Sequence, residues 1–206
     1  MDWDGNLAQT LDLWQEALRV PLEKRGHFLS DAEIGANFKA LREKLSAQGV
    51  DEIDAIITEA DTIASKSVPY VTLYPDALEV LESLHKSSSY TALVTTSKHS
   101  TVDPLLEKYN IRGLFDVVVC GDDVTQVKPS AEPLLRALEI LNGDPGQAVM
   151  VGDSDKDIIA AKNAGIDSIL FYPPGHERFH DIDYLHSLNP NYVISDFRDV
   201  LKMVRD

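Results

Sequence analysis

The sequence predicts an α/β protein: a doubly wound parallel sheet with an all-helical block inserted near its beginning. Three observations lead to that class. From residue 91 onward, short β-branched runs alternate with segments of helical periodicity, the pattern of a parallel sheet wrapped by helices. Residues 10 to 72 carry helical spacing and no convincing strand. Polar residues able to do chemistry recur at the ends of the apolar runs, where open parallel sheets bind their ligands.

Taken in order, residues 1–9 open the core with Asp2-Trp3-Asp4-Gly5-Asn6-Leu7, placed where a first strand should end. Only Met1 precedes Asp2, so this first core strand is expected to be truncated by a recorded start that lies too late. Without it, each neighbouring backbone group left unpaired and buried would cost about 1 to 3 kcal/mol. The block 10–72 shows helical spacing in Leu11, Trp14 and Leu18, then Ile34, Phe38, Leu41 and Leu45, then Ile53, Ile56, Ala60 and Ile63. Ser30 followed by Glu33 fits a capping box for its middle helix. Pro69 and the Tyr74-Pro75-Asp76 turn mark the return to the core. The expected domains are therefore an α/β core of 1–9 and 73–206 and a helical cap of 10–72. Core strands are expected at Ala92–Thr95, Val117–Cys120, Ala148–Val151, Ser168–Phe171 and Tyr192–Ile194. Helices fit Val102–Tyr109, Ala131–Leu141 and Asp155–Ala164, the last stopped by Gly165.

Composition narrows the function. Acidic residues outnumber basic ones 34 to 19, a formal net charge of -15. That surface repels nucleic acid and anionic membranes, so neither is an expected partner. No stretch approaches the roughly 18 to 20 apolar residues of a membrane span and the acidic start lacks a signal-peptide pattern, which makes the cytoplasm the expected location. Cys120 is the single cysteine, excluding an intrachain disulfide and a thiolate cage; it reads as a small buried apolar side chain. An anionic substrate would be repelled too, unless a metal ion and a nearby Lys reversed the field locally.

The two acidic clusters, Asp2/Asp4 and Gly152-Asp153-Ser154-Asp155-Lys156-Asp157, look like halves of one magnesium site, since Mg2+ takes oxygen ligands from one or two carboxylates plus a substrate phosphate. A carboxylate can attack phosphorus directly, and Asp2 is the expected nucleophile. Asp4, two residues on in an extended segment, shares its face and would be the general acid/base. Gly5 allows a sharp turn that could bring backbone N–H groups to phosphate oxygens. Thr95, with Thr96 beside it, would hydrogen-bond phosphate, and Lys128 would stabilise charge in the transition state. Asp153 would bind magnesium, while Asp157, on the same helix face, would hold a metal-bound water or orient Lys128.

These residues resemble the four motifs of the haloacid dehalogenase-like (HAD) hydrolase superfamily, in its phosphatase branch with a small helical cap. Asp2 to Asn6 match Asp-x-Asp-Gly-Thr/Val, Thr95 the strand-end Thr or Ser, and Lys128 before Pro129 the Lys. Gly152, Asp153 and Asp157 match the last motif. Leu93 to Pro173 is similar to phosphoglycolate phosphatase-like members. Asn6 departs from the usual Thr or Val, and the short first strand is the larger departure. The resemblance implies a Rossmann-like core and a Mg2+-dependent phosphatase that hydrolyses a small phosphomonoester through an aspartyl-phosphate. It implies metal ligation by Asp2, the Asp4 backbone carbonyl and Asp153. Dehalogenases of the family lack the second Asp. The alternatives are a sugar-phosphate mutase of the β-phosphoglucomutase kind and a catalytically impaired protein that keeps the fold for binding.

Other residues read more plainly. Asp155 is expected to be a solvated first-turn acid, and Asp122 and Asp123 a polar loop. His176-Glu177-Arg178-Phe179-His180 formally matches a zinc-peptidase motif, which requires both His on one face of a stable helix. Here it follows Tyr172-Pro173-Pro174-Gly175, a loop, so these histidines are expected to decorate the surface. The stripe Trp14, Leu18, Phe38 and Leu41 reads as cap core.

Overall fold

The computed structural model describes residues 1–35, 38–87 and 89–204, the side chains of Ala32, Gly35, Phe38, Lys39, Ala40 and Val68 excepted. In the core, β1 (Ala92–Val94) runs parallel to β2 (Val117–Val119), and β3 (Val149–Gly152), β4 (Asp167–Phe171) and β5 (Tyr192–Ile194) form a second parallel ladder in that order. Met1 and Asp2 bridge the two. The Met1 carbonyl accepts from Val94 N (2.8 Å), its amino group donates to Ala92 O (2.7 Å), and Asp2 N donates to Val151 O (2.8 Å). The spatial order is thus β2, β1, Met1-Asp2, β3, β4, β5, with the first two residues lying where the sequence places the end of a central strand.

Both faces of this sheet are covered, as a parallel sheet requires. Adjacent residues of one strand point to opposite faces, and Leu93 and Val151 join one apolar cluster while their neighbours Val94 and Met150 join another. The first cluster holds Trp3, Leu7, Leu81, Leu106, Ile169, Phe171 and Phe197; the second holds Leu134 and Ala137 together with Ala160 and Ala161. Leu134 and Ala137 lie three apart on α7 (Glu132–Leu141), and Ala160 and Ala161 sit on α8 (Asp155–Ala164). α8 begins at a reciprocal cap between Ser154 and Asp157 and stops at Gly165, whose φ of 68° is the left-handed conformation of a helix C-terminus.

Between residues 10 and 72 the described residues form helices joined by short connections, with no strand among them. α1 (Leu11–Lys24) packs along α4 (Ile53–Ser67) through Ala17, Ala60 and Ala64, small side chains that let the two axes approach. Beyond them Leu22, Ile34, Leu41, Leu45 and Ile56 form a separate apolar cluster shared with α2 (Asp31–Gly35) and α3 (Phe38–Ala47). Leu41 is buried as expected, whereas the Phe38 side chain lies outside the described residues. Ser30 N and Oγ both donate to the Glu33 carboxylate (2.7 and 2.8 Å), the Glu33 half of the expected box, whereas Glu33 N donates to the Ser30 backbone carbonyl (3.1 Å) and not to its hydroxyl. The chain leaves and re-enters the core side by side: Gln9 N donates to Thr72 O (2.8 Å) and Tyr74 N to Leu7 O (2.9 Å). Among the described residues no helix is long and apolar enough to cross a membrane.

Candidate active site

The loop after Asp2 is tied by one carbonyl: Trp3 O accepts from both Leu7 N (3.0 Å) and Ala8 N (2.9 Å). The Trp3 ring is fully buried, anchoring the turn from below. Gly5 has φ +73°, and a Cβ there would lie 2.1 Å from Asp153 Oδ2, so both backbone conformation and space demand glycine. Its own N–H donates to Ala8 O (3.0 Å) and faces the loop, away from the role of phosphate donor that the sequence suggested. Asn6, where the family prefers Thr or Val, donates from Nδ2 to Asp2 O (3.1 Å), fixing the backbone of the candidate nucleophile.

Lys128 and its partners form a buried charge cluster. Nζ of Lys128 donates to Asp157 Oδ1 (2.6 Å) and Val94 O (2.9 Å) and pairs by charge with Asp2 Oδ1 at 2.7 Å. Asp157 in turn accepts from Ser154 N and Ser154 Oγ (3.2 and 2.6 Å). Of the two roles expected for Asp157, orienting Lys128 is the one this geometry displays. Gly152 makes room, since a Cβ there would sit 2.3 Å from the Asp157 carboxyl carbon. Burial opposes the charge on Lys128, but Asp157 and Asp2 outweigh it and hold the ammonium above its ordinary pKa. Asp157 is likewise buried, yet Lys128 and Ser154 keep it below the usual carboxylate range. Asp2 is pushed up by burial first and by the Asp157 charge second, against the pull of Lys128.

Ligand oxygens of Asp2, Asp153 and Asp157 lie within 4.8 Å of one another, all three residues buried. Crowding carboxylates in low dielectric raises the free energy of the ionised cluster, and the upward push on Asp2 is its expression. A hard divalent cation with oxygen ligands is what such a donor set fits.

Asp4 is held by two donors, Trp14 Nε1 to Oδ1 (2.9 Å) and Ser97 Oγ to Oδ2 (2.6 Å). Trp14 belongs to α1, so the proposed acid/base is gripped from the helical block and from the loop after β1 at once. Thr95 is buried at the end of β1; its N–H donates to Val119 O (3.0 Å) and its Oγ1 accepts from Ser97 N (3.0 Å). Thr96 is half-buried and packs its carbonyl on Gly121, where a Cβ would lie 2.3 Å away.

The structure therefore gathers Asp2, Lys128, Asp153 and Asp157 at the carboxyl ends of the strands, with Asp4 and Thr95 on the two loops beside them. Residues 1–171 match the family of haloacid dehalogenase-like hydrolases. The chain belongs to that family. Among HAD relatives, the pyrophosphatase PpaX of Bacillus mycoides is 35% identical over 211 residues, covering 98% of this chain and 94% of its own length. PpaX of Oceanobacillus iheyensis is 31% identical over 137 residues, 66% of this chain, and the chain spans only 62% of that relative's length in the match. A candidate phosphoglycolate phosphatase from Lactobacillus plantarum shares the HAD fold with a TM-score of 0.82 at 23% identity, covering 98% of this chain and 96% of that one.

Four further residues of this HAD chain stand at the site without a sequence signal that placed them there. Ser97 follows Thr95-Thr96 in the same loop, a signal of neighbourhood alone. Trp14 was assigned to cap core, and periodicity does not reveal that its indole N–H turns toward Asp4. The histidines are a correction: His176 is buried, and His180 Nε2 lies 2.8 Å from Asp153 Oδ2, so neither decorates the surface. His176–Arg178 is a single 3-10 turn, too short to carry the two-His helix of a zinc peptidase, although Asp153, His176 and His180 bring ligand atoms within 4.8 Å. Asp123 is likewise more than loop filling: it accepts from Cys120 N (2.8 Å) and pairs with His99 Nε2 (2.8 Å). Asp155 is half-buried.

Proposed function

We propose that this chain is a Mg2+-dependent phosphatase that cleaves a small phosphorylated metabolite in the cytoplasm through a phospho-Asp2 intermediate. The observation that carries the reading is the buried cluster in which Lys128 pins Asp2 at 2.7 Å beside Asp153 and Asp157. A carboxylate fixed in this way attacks phosphorus without first losing rotamer freedom. As the Asp2 oxygen bonds to phosphorus, the bond to the leaving group breaks and Asp4 protonates the departing oxygen. Asp4 then takes a proton from water, whose oxygen displaces Asp2 and yields inorganic phosphate. Thr95 offers its hydroxyl hydrogen to a phosphate oxygen and Lys128 steadies the charge that spreads over the transferring group. Magnesium, held by Asp2, Asp153 and the Asp4 carbonyl, would supply charge neutralisation and alignment of the phosphate. Residues 10–72 serve as the cap over core 1–9 and 73–206, with Trp14 as its contact to Asp4.

The PpaX name of the Bacillus mycoides relative puts pyrophosphate first among substrates to try. The experiment is phosphate release from pyrophosphate, phosphoglycolate, p-nitrophenyl phosphate and β-glucose 1-phosphate, with and without Mg2+. Turnover that needs Mg2+ and vanishes in Asp2→Asn supports the reading. A folded protein inactive on the whole panel, or full activity in Asp2→Asn, would overturn it. Isomerisation of β-glucose 1-phosphate with no phosphate released would reassign the chain as a mutase.

A further inference from the structure

His180 has no place in the chemistry above, yet its ring contacts a proposed metal ligand directly. Its Nε2 lies 2.8 Å from Oδ2 of Asp153, and Asp153 is 2% exposed. The same oxygen is flanked by Gly5, where a Cβ would come within 2.1 Å. Oδ2 is thus enclosed between an imidazole and a backbone turn. The other oxygen is the one left for a cation.

The backbone of His180 is fixed on two sides, and its ring lies 5.9 Å from that of His176. His180 N donates to His176 O (2.9 Å), and the Tyr172 hydroxyl donates to His180 O (2.9 Å). Below it, His176 makes edge contacts with Phe171, Tyr172 and Tyr74, at ring separations of 5.9, 5.8 and 5.6 Å. His176 Nε2 is 2.6 Å from the Tyr74 hydroxyl. A donor set this firmly on an aromatic shelf, with few rotamers to lose, orients the carboxylate it touches.

We infer that His180 is a positioning residue for the cation site, donating from Nε2 to Asp153 Oδ2 so that Asp153 meets the ion through its remaining oxygen in one fixed orientation. The inference rests on the reading of Asp153 as a metal ligand. Partners that orient a ligating group typically change metal affinity by roughly 10- to 100-fold when removed. His180 would act through Asp153 alone, and its loss should therefore appear as weakened cation binding whatever substrate is used.

The test compares His180→Gln, which keeps a side-chain N–H donor, with His180→Met, which keeps bulk and loses the donor. Mn2+ binding is measured directly by electron paramagnetic resonance and calorimetry, and thermal stability is recorded without metal. His180→Met should bind Mn2+ roughly 10- to 100-fold more weakly, His180→Gln should stay close to wild type, and the metal-free melting temperatures of the two should match. Equal Mn2+ affinity in wild type and His180→Met would overturn the inference, as would equal weakening in both variants. Asp153→Asn separates the two levels. If it lowers Mn2+ affinity while His180→Met does not, only the role of His180 fails; if it leaves affinity unchanged, the metal-ligand reading fails and takes this inference with it.

Discussion

Lys128→Met is the sharpest perturbation of the buried cluster. The wild-type ammonium is 3% exposed and lies 2.6 to 2.9 Å from two carboxylate oxygens and a backbone carbonyl. Met fills nearly the same volume, so cavity formation contributes little, and what remains is two buried carboxylates facing each other without a counter-charge. Breaking a buried pair by removing one partner costs about 3 to 5 kcal/mol. Protonation of Asp2 relieves part of this, because its pKa is already raised by burial and by Asp157, which places the expected loss at about 3 kcal/mol. For a domain of this size that corresponds to roughly 6 to 12 °C in melting temperature. Urea unfolding followed by far-ultraviolet circular dichroism measures it, provided the slope of the transition is unchanged. A second variant, Lys128→Met with Asp157→Leu, removes one of the stranded charges and should recover part of the loss. The reasoning is refuted if Lys128→Met costs under about 1 kcal/mol, the range of an exposed pair, or if the double variant is less stable than the single one.

Gly5→Ala combines a left-handed φ with a Cβ 2.1 Å from Asp153 Oδ2; displacing that carboxylate should cut turnover roughly 100-fold while the far-ultraviolet spectrum is preserved, and wild-type turnover would contradict it. His176 is pushed down from 6.5 to about 4 by burial. Between those values the unfolded chain holds a proton that the folded chain refuses, so stability is fully present above pH 6.5 and lost as pH falls toward 4, by about 3 kcal/mol. His176→Phe should flatten that acid limb in urea titrations at pH 4 to 7; an unchanged slope would locate the effect elsewhere. Trp14→Phe removes the indole donor to Asp4 and is expected to cost about 1 kcal/mol and to lower kcat, with identical kinetics counting against a role for that contact.

How much of this could be read from sequence varies with the physical signal behind each residue. The strands β1 to β4 were legible because both faces are largely buried, which turns each into a short apolar run; β5, at the sheet edge, exposes Tyr192 and Val193 and was legible from its β-branched and aromatic residues. Gly165 was legible as a stop because its φ of 68° suits glycine. Asp2 and Asp153 follow strand ends and Asp157 lies in the first turn of a helix, where an open parallel sheet gathers its ligands, whereas Lys128 lies in a turn and its place followed from the resemblance. His180 was not legible: it follows a Pro-Pro-Gly turn with no periodicity, and its partner Asp153 is 27 residues away. Trp14 was half legible. Its place on an amphipathic helix follows from spacing, but the direction of one N–H toward Asp4 is a property of how the helical block sits on the core. The place of Met1 and Asp2 was legible as the end of a first core strand, but the hydrogen bonds by which they join Ala92, Val94 and Val151 were not, since two residues carry no strand pattern.

Charge also orders events at the site. Asp2, Asp153 and Asp157 contribute three carboxylates, Lys128 contributes one ammonium, and that ammonium is already shared between Asp2 and Asp157. The cluster is negative within a chain of net charge -15, so a phosphate approaching it unaided meets repulsion both at long range and at contact. Burial opposes charge on His180, but Asp153 holds the imidazole above its ordinary pKa, so it offsets part of the Asp153 charge while facing away from the crevice. A cation held by the carboxylates reverses the local sign, which makes cation binding before substrate the favourable sequence under the proposed mechanism. The same arrangement explains why Lys128 is buried between two carboxylates: its charge keeps Asp2 and Asp157 tolerable to the folded core, while attraction of the substrate is left to the site as a whole.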